Sequence, residues 1–400
     1  MDLFNFEKER FYFKKKKISL FEAFSGVGTQ TMALKRLGLE IEHIGISEID
    51  KYAIASYMAI HGDVKNYGDI MKINGKDLPQ IDLFTWSFPC TDLSKAGKQL
   101  GLDGTRSGLG YEVLRIVSEM KVKPTMLVME NVPDLLSPKF KDGWREMYHE
   151  IENMGYTNYV EVLNAKDYGV AQNRERVFMV SILGDYQYTF PQPFKLEKRL
   201  KDYLEPKVDE KYYLSEETIL RISKWKAQQK PLENVLYDNS ISPTLTARGA
   251  GEEHSGMVLY GEPKRIFGLY DGEEKKHQAG SVYDVMGLSP TIDTMQGGNR
   301  EPLIIEPKMN YAPQSRDYKE NGWSVISQTL LARDYKDPKI VKLDDFRIRK
   351  VTPLECWRLM GIDDDDYYKA QRVCSNSQLY KQAGNAIVVD VLHYIFKQLF

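Results

Sequence analysis

Four hundred residues are enough for one or two domains. Hydrophobic residues at 42% and charged residues at 28% describe an ordinary globular chain and exclude a disordered, collagen-like or fibrous one. Fifty-five basic against 57 acidic side chains leave a net charge of -2, so any polyanion-binding surface must come from local clustering.

The first apolar run, Ile18 to Phe24, meets a glycine turn at Ser25-Gly26-Val27-Gly28. A helix is predicted next, with Met32, Ala33 and Leu37 on one face and Gly38 as its stop. Ile41 to Ser47 reads as a second strand ending at Glu48, and helix signals return from Lys51 to His61. Ile81 to Ser87 and Met126 to Met129 read as buried strands, each running into a polar turn. Lys141 to Met154 looks helical, and Tyr159 to Ala165 and Val177 to Ile182 look like strands. Such alternation predicts a parallel sheet covered on both faces.

The texture changes near Gly184. From there to about Phe346 the chain is rich in Pro, Gly, Tyr and short apolar runs. A weak repeat shows at Ser242-Pro243-Thr244-Leu245, Ser289-Pro290-Thr291-Ile292 and Ser327-Gln328-Thr329-Leu330. Each copy precedes a polar or Gly-rich loop and an apolar strand, which suggests three similar hairpins in a small β-rich domain; unequal spacing excludes a solenoid. Asn385 to Phe400 is predicted as one closing helix. The three cysteines, Cys90, Cys356 and Cys374, exclude a disulfide framework and show no CxxC spacing for zinc. They lead us to expect a reducing, cytoplasmic setting and no metal. No apolar run approaches the ~18 residues of a membrane span, and the start, MDLFNFEKERFYFKKKK, lacks signal-peptide order.

The glycine turn at 25–28 lets a backbone approach a ligand closely. An ordinary tight turn explains it as well, because the dinucleotide fingerprint is incomplete. Glu48 adds weight, since an acid at the end of the second strand can hold a ribose diol. Gly68-Asp69-Ile70 is placed to reach an adenine edge. Cys90 follows Pro89 at a strand's C-terminal end and opens a Gly-rich loop, a better setting for a nucleophile than for a buried hydrophobe. Cys356 and Cys374 have no such setting and read as structural. Glu130-Asn131-Val132 ends the next strand, which brings a carboxylate to the same sheet edge. Alternation in Gln172-Asn173-Arg174-Glu175-Arg176 puts Gln172, Arg174 and Arg176 on one face. Two such arginines usually mean solvated charge; beside a Cys and a Glu they read as a clamp for an anion or carbonyl oxygen.

Taken in order, Phe24-Ser25-Gly26-Val27-Gly28, Glu48, Gly68-Asp69-Ile70, Phe88-Pro89-Cys90, Glu130-Asn131-Val132, Gln172 to Arg176 and Gln382-Ala383-Gly384-Asn385 resemble the blocks of the DNA cytosine-5 methyltransferases. Arg349 to Glu355 and Arg358 to Gly361 resemble the block before the C-terminal return, in the bacterial or phage type's unpermuted order. Ser87 and Thr29 stand at frequent glycine positions, Thr91 where glutamine is common and Leu93 where phenylalanine is common. None of these removes a group the chemistry needs; loop behaviour, and hence rate, is what they put in question.

The resemblance implies an α/β chain: a Rossmann-like S-adenosylmethionine-dependent methyltransferase domain with an inserted, β-rich target-recognition domain. The expected spans are 1–183 for the catalytic domain, 184–346 for the insert and 347–400 for the returning segment. It further implies transfer of a methyl group from S-adenosyl-L-methionine to carbon 5 of a cytosine flipped out of duplex DNA. Cys90 would attack C6, Glu130 would meet the N3 and amino edge, Arg176 the O2 carbonyl, and Arg174 would order the Cys90 loop. Phe24, Gly26 and Gly28 would contact the cofactor's methionine region. Glu48 and Ile49 would take its ribose and adenine, and Asp69 and Ile70 the adenine amino group. Pro89, Leu109, Asn385 and Ala386 would complete the pocket. A monomer is expected, with any cognate restriction endonuclease acting separately. The alternative is an RNA (tRNA) cytosine-5 methyltransferase of the same branch, against which the long insert before Arg349 argues. A dinucleotide-dependent oxidoreductase gives no reason for Pro-Cys with Glu-Asn-Val, and a silent DNA-binding module none for the intact Cys90, Glu130, Arg174 and Arg176. In the insert, Arg248, Arg300 and Arg333 follow the repeats and suit guanine edges or phosphates.

Overall fold

The computed structural model describes residues 9–88, 108–213, 215 and 346–400, with the backbones of three strands at 265–268, 281–284 and 303–307. In chain order it begins with β1 (Lys17–Ala23), α1 (Thr29–Arg36), β2 (Glu40–Ser47), α2 (Lys51–His61) and β3 (Leu83–Trp86). Then come α3 (Leu109–Glu119), β4 (Met126–Asn131), α4 (Lys141–Asn153), β5 (Tyr156–Asn164) and β6 (Glu175–Leu183). These six strands form one sheet in the order β2-β1-β3-β4-β6-β5. Every residue of β3 and β4 is buried, as strands covered on both faces must be. Phe21 stacks on Phe84 with ring centroids 4.9 Å apart, which fastens β1 to β3 inside this core.

One strand departs from the expected all-parallel sheet. β6 runs antiparallel to both β4 and β5, while β1, β2, β3 and β4 pair in parallel. Residues 165–174 are too short a connection to carry the chain back across the sheet, so β5 and β6 form a hairpin. The reversal sets the end of β4 beside the start of β6, with Glu130 opposite Phe178 and Asn131 opposite Val177. Residues entering β6 and leaving β4 therefore share one sheet edge.

Among the described residues, 9–88, 108–205 and 352–400 belong to one compact unit, and 206–213, 215 and 346–351 with the three further strands to a second. Residues 184–205 thus pack with the first unit, where Tyr188 Oη donates to Ile395 O at 3.4 Å. The second unit holds β7 (Arg265–Gly268), β8 (Ser281–Asp284), β9 (Leu303–Pro307) and β10 (Phe346–Lys350) in the order β10-β9-β8-β7. β8 and β9 pair in parallel and the outer pairs are antiparallel. The three Ser-x-Thr repeats lie outside the described residues.

The first unit is completed by α5 (Pro353–Arg358), α6 (Asp364–Gln371), α7 (Asn376–Asn385) and α8 (Val389–Lys397). Thr352 and Glu355 cap α5 reciprocally. The single closing helix expected from Asn385 is instead two helices. Ala386 and Val388 are extended, with ψ of 152° and 120°, so Asn385 ends α7 and only Val389 starts α8. The apolar spacing of Val391, Leu392, Ile395 and Phe396 predicts α8 correctly and is silent about this break. Of the basic run Lys14 to Lys17 that leads into β1, Lys15 pairs with Asp82 at 2.8 Å and Lys17 with Glu42 at 2.9 Å.

Candidate active site

The C-terminal ends of β1, β2, β3 and β4 open on one cavity of about 560 Å³, within the about 300–1,000 Å³ usual for small-molecule sites. Its first wall is the turn after β1. Phe24 (φ 56°) is the one non-glycine residue in the left-handed region among those described, fixed there as its N–H donates to Ser47 O at 2.8 Å. Gly26 (φ 55°) continues the turn along the cavity. Gly28 does not line it: a Cβ there would overlap the rings of Tyr57 and His61, so this glycine serves close packing.

Behind the turn lies a buried polar cluster. Glu22 on β1 accepts hydrogen bonds from Tyr57 Oη and, at 2.8 Å, from Thr31 Oγ1. Burial pushes the Glu22 carboxyl above the usual carboxylate range, although these donors oppose it. Burial also pulls His61 down to about 3, so the ring is neutral at physiological pH and its Nε2–H donates to Val27 O at 2.9 Å.

The second wall follows β2. Glu48 Oε2 accepts from Gly26 N at 3.0 Å, and Oε1 from Ile49 N at 2.8 Å and Asp50 N at 2.9 Å. Asn66 braces the same point: its Oδ1 accepts from Glu48 N and Gly68 N, and its Nδ2 donates to Glu48 O. Asp69 caps the 3-10 turn Ile70–Lys72 and lines the cavity with Ile70. Asp50 caps α2 and reaches Lys381 Nζ on α7 at 2.6 Å. Burial acts to raise the Asp50 carboxyl, but Lys381 and the Tyr52 N–H outweigh it and hold it below the usual range.

The third wall carries the charged pair. Glu130 Oε1 lies 3.0 Å from Arg176 Nε, and Glu130 Oε2 accepts from Ser87 Oγ at 2.6 Å. Arg176 Nη1 donates to Glu175 O, while Nη2 has no partner among the described residues. Arg174 is buried, and its Nη2 donates to Gly384 O and Ala386 O at 3.0 Å each. Burial, with Arg176 beside it, pulls the Arg174 guanidinium down to about 9 against the opposing charge of Glu130; it stays protonated at neutral pH. Gln172 does not face the cavity. Its Nε2 donates to Leu359 O at 2.7 Å, joining the approach to β6 to the end of α5. Alternation fails to group it with the arginines because β6 starts only at Glu175.

Phe24, Gly26, Glu48, Ile49, Asp69, Ile70, Leu109, Glu130, Arg174, Arg176, Asn385 and Ala386 thus line one cavity, as a single ligand site requires. Pro89, Cys90, Arg248, Arg300 and Arg333 lie outside the described residues. A family model for the C-5 cytosine-specific DNA methylases matches residues 18–400. The chain belongs to the C-5 cytosine-specific DNA methylase family.

This DNA (cytosine-5-)-methyltransferase is 32% identical to the orphan methyltransferase M.Rho11sI of Bacillus phage rho11s, over 96% of this chain and 98% of that one. It is 31% identical to the type II methyltransferase M2.ScrFI of Lactococcus lactis subsp. cremoris, over 96% and 99% of the two chains. Its fold matches Dnmt2 methyltransferase of S. pombe (TM-score 0.60, 16% identity, 95% of this chain and 97% of that one). It also matches methyltransferase EhMeth of Entamoeba histolytica (TM-score 0.61, 16% identity, 96% and 98%). The methylase fold is thus a Rossmann-like sheet with one reversed strand.

Several residues of the methylase site were not singled out from sequence. Ser25 sits in the first turn with its Oγ buried and without a partner among the described residues. Asn66, Lys381 and the hydroxyl of Ser87 are the others. Asn66, Lys381 and Ser87 each work through a contact distant in sequence, which no local spacing signals. Cys356 is fully buried, and Cys374 hydrogen-bonds Tyr52 O and Ser56. Among the described residues of the methylase no group of three or more His, Cys, Asp or Glu is arranged to hold a metal, and no helix is long and apolar enough to cross a membrane.

Proposed function

We propose that the methylase uses S-adenosyl-L-methionine to methylate carbon 5 of a cytosine flipped out of a specific duplex sequence, through a covalent adduct on Cys90. The observation that carries this reading is the meeting of Glu48 with the Glu130–Arg176 pair on one cavity. The residues fit the cofactor. Glu48 keeps acceptor capacity beyond its three hydrogen bonds for a ribose diol, since a carboxylate has about four lone-pair sites. Ile49, 76% exposed on the rim, offers apolar surface to a flat ring. The buried Ser25 hydroxyl is a free partner for a polar ligand group, without which its burial costs about 1–3 kcal/mol.

The bound cofactor would supply an electrophilic methyl group, which C5 takes. The chain's part is to make C5 nucleophilic. Cys90 thiolate adds to C6; the C5–C6 pair shifts to C5, and Glu130, as the acid, protonates or hydrogen-bonds N3. Arg176 offers its Nη2 to the O2 carbonyl, and Arg174 keeps the 384–386 wall closed. A base from solvent then takes the C5 proton, N3 returns its proton to Glu130, and the re-formed C5–C6 double bond expels Cys90 as thiolate. Turnover of Cys90→Ser should fall to background while DNA and cofactor binding persist; methylation near the parent rate would sink the adduct.

The insert at 184–346 would read the target, with Arg248, Arg300 and Arg333 against guanine edges or phosphates. Alanine at a base-reading arginine should relax one position of the site, whereas at a phosphate contact it should lower the salt slope by about one unit. Unchanged affinity and site choice in all three variants would move recognition elsewhere. The enzyme would act as a monomer in the cytoplasm, any cognate restriction endonuclease being a separate protein.

A further inference from the structure

We propose that Ser87 is a positioning residue for Glu130, whose hydroxyl assigns the carboxyl proton to Oε2. This rests on the reading of Glu130 as the group at the N3 edge of the base. Parallel pairing sets Trp86 on β3 opposite Met129 on β4, so the next residues of the two strands, Ser87 and Glu130, emerge side by side at the cavity. There Ser87 Oγ meets Oε2 at 2.6 Å, while Arg176 Nε holds Oε1 at 3.0 Å.

The two partners differ in what they permit. A guanidinium only donates, so the oxygen it faces must remain an acceptor, and a proton there would weaken that contact. A hydroxyl donates or accepts by rotation of its hydrogen alone. When Glu130 carries a proton, Oε1 stays the carbonyl-like oxygen facing Arg176, and Oε2 bears the hydrogen. Ser87 donates to Oε2 in the carboxylate and turns to accept from it, or stands aside, in the acid. No bond of Ser87 is made or broken. Without the hydroxyl, Oε2 loses the partner that fixes the Glu130 rotamer and accommodates both protonation states.

The test measures Ser87→Ala and Ser87→Thr beside Glu130→Gln, on a DNA substrate carrying the recognised site. Ser87→Ala should lower kcat about tenfold, with KM for DNA and Kd for the cofactor within about twofold of the parent. Ser87→Thr, which keeps a hydroxyl there, should recover most of the loss. Thermal unfolding of each variant confirms the fold. A Ser87→Ala kcat within about twofold of the parent, a rise in KM with kcat unchanged, or a folded Ser87→Thr no faster than Ser87→Ala overturns the proposal. Glu130→Gln separates the two levels. If it turns over like the parent, the role of Glu130 falls and that of Ser87 with it. If it is inactive while Ser87→Ala is not impaired, only the role of Ser87 falls.

Discussion

At one end of the cavity Glu48 takes its hydrogen bonds from three backbone N–H groups, whereas at the other Glu130 is held by two side chains, Arg176 and Ser87. Backbone donors are fixed by the turn and strand that carry them, and no single substitution except to proline removes one. Side-chain partners each vanish with one codon. The Glu48 end is therefore buffered against change around it, and the Glu130 end is adjustable. Such a division suits a ligand site where one half binds an invariant molecule and the other carries out chemistry.

The largest expected effect breaks the adjustable end. Glu130→Gln keeps the side-chain volume and removes the acid, so kcat should drop by about 10²–10⁴-fold with cofactor affinity unchanged. Single-turnover methylation and calorimetry measure the two quantities; an equal loss in both would show that the ends are not separable. Next comes the buffered end. Glu48→Ala should weaken S-adenosylmethionine by about 1.5–3 kcal/mol, with DNA binding in its absence little changed. Unchanged cofactor affinity would remove Glu48 from the ribose.

The smallest effect, taken over one pH unit, concerns what lies behind the Glu48 end. His61 titrates near 6.5 unfolded and is pulled to about 3 in the fold, chiefly by burial. Between those values the unfolded chain binds the extra proton, so this contribution is fully present above 6.5 and is lost as pH falls towards 3. Its slope is at most about 1.4 kcal/mol per pH unit. His43, also lowered by burial, acts in the same sense, whereas the raised Glu22 contributes below its ordinary 4.5 and loses that as pH rises. Comparison with His61→Gln isolates the histidine: melting temperature should fall less steeply on acidification in the variant. Parallel curves would show that His61 does not titrate with unfolding.

What could be read from sequence divides along the same line. The turn at 24–28, the acid after β2 and Glu130 at the end of β4 follow from local patterns, because strand ends and glycine turns are short-range features. The apolar run of β6 predicts a strand, but the parallel direction expected for it is wrong, since direction depends on connection length and pairing rather than on period. The reversed strand is what lets Arg176 reach Glu130. Ser87 showed only as a departure from the family pattern; its significance is a contact 43 residues away in the chain. The break at Ala386–Val388 escaped because apolar spacing continues across it, while the carbonyls of Gly384 and Ala386 are taken by Arg174.

That break has a consequence for the life of the enzyme on the ribosome. The cavity wall contributed by Gly384, Asn385, Ala386 and Ile387 is synthesised long after Phe24, Glu48 and Glu130. Until it arrives, the buried guanidinium of Arg174 lacks these two carbonyl acceptors and the cavity stands open on that side. A chain cut short before residue 384 keeps Glu48, Glu130 and both arginines but lacks this wall of the cavity. Closure of the cavity is thus a late event in the life of the chain, set by the order in which its walls are made.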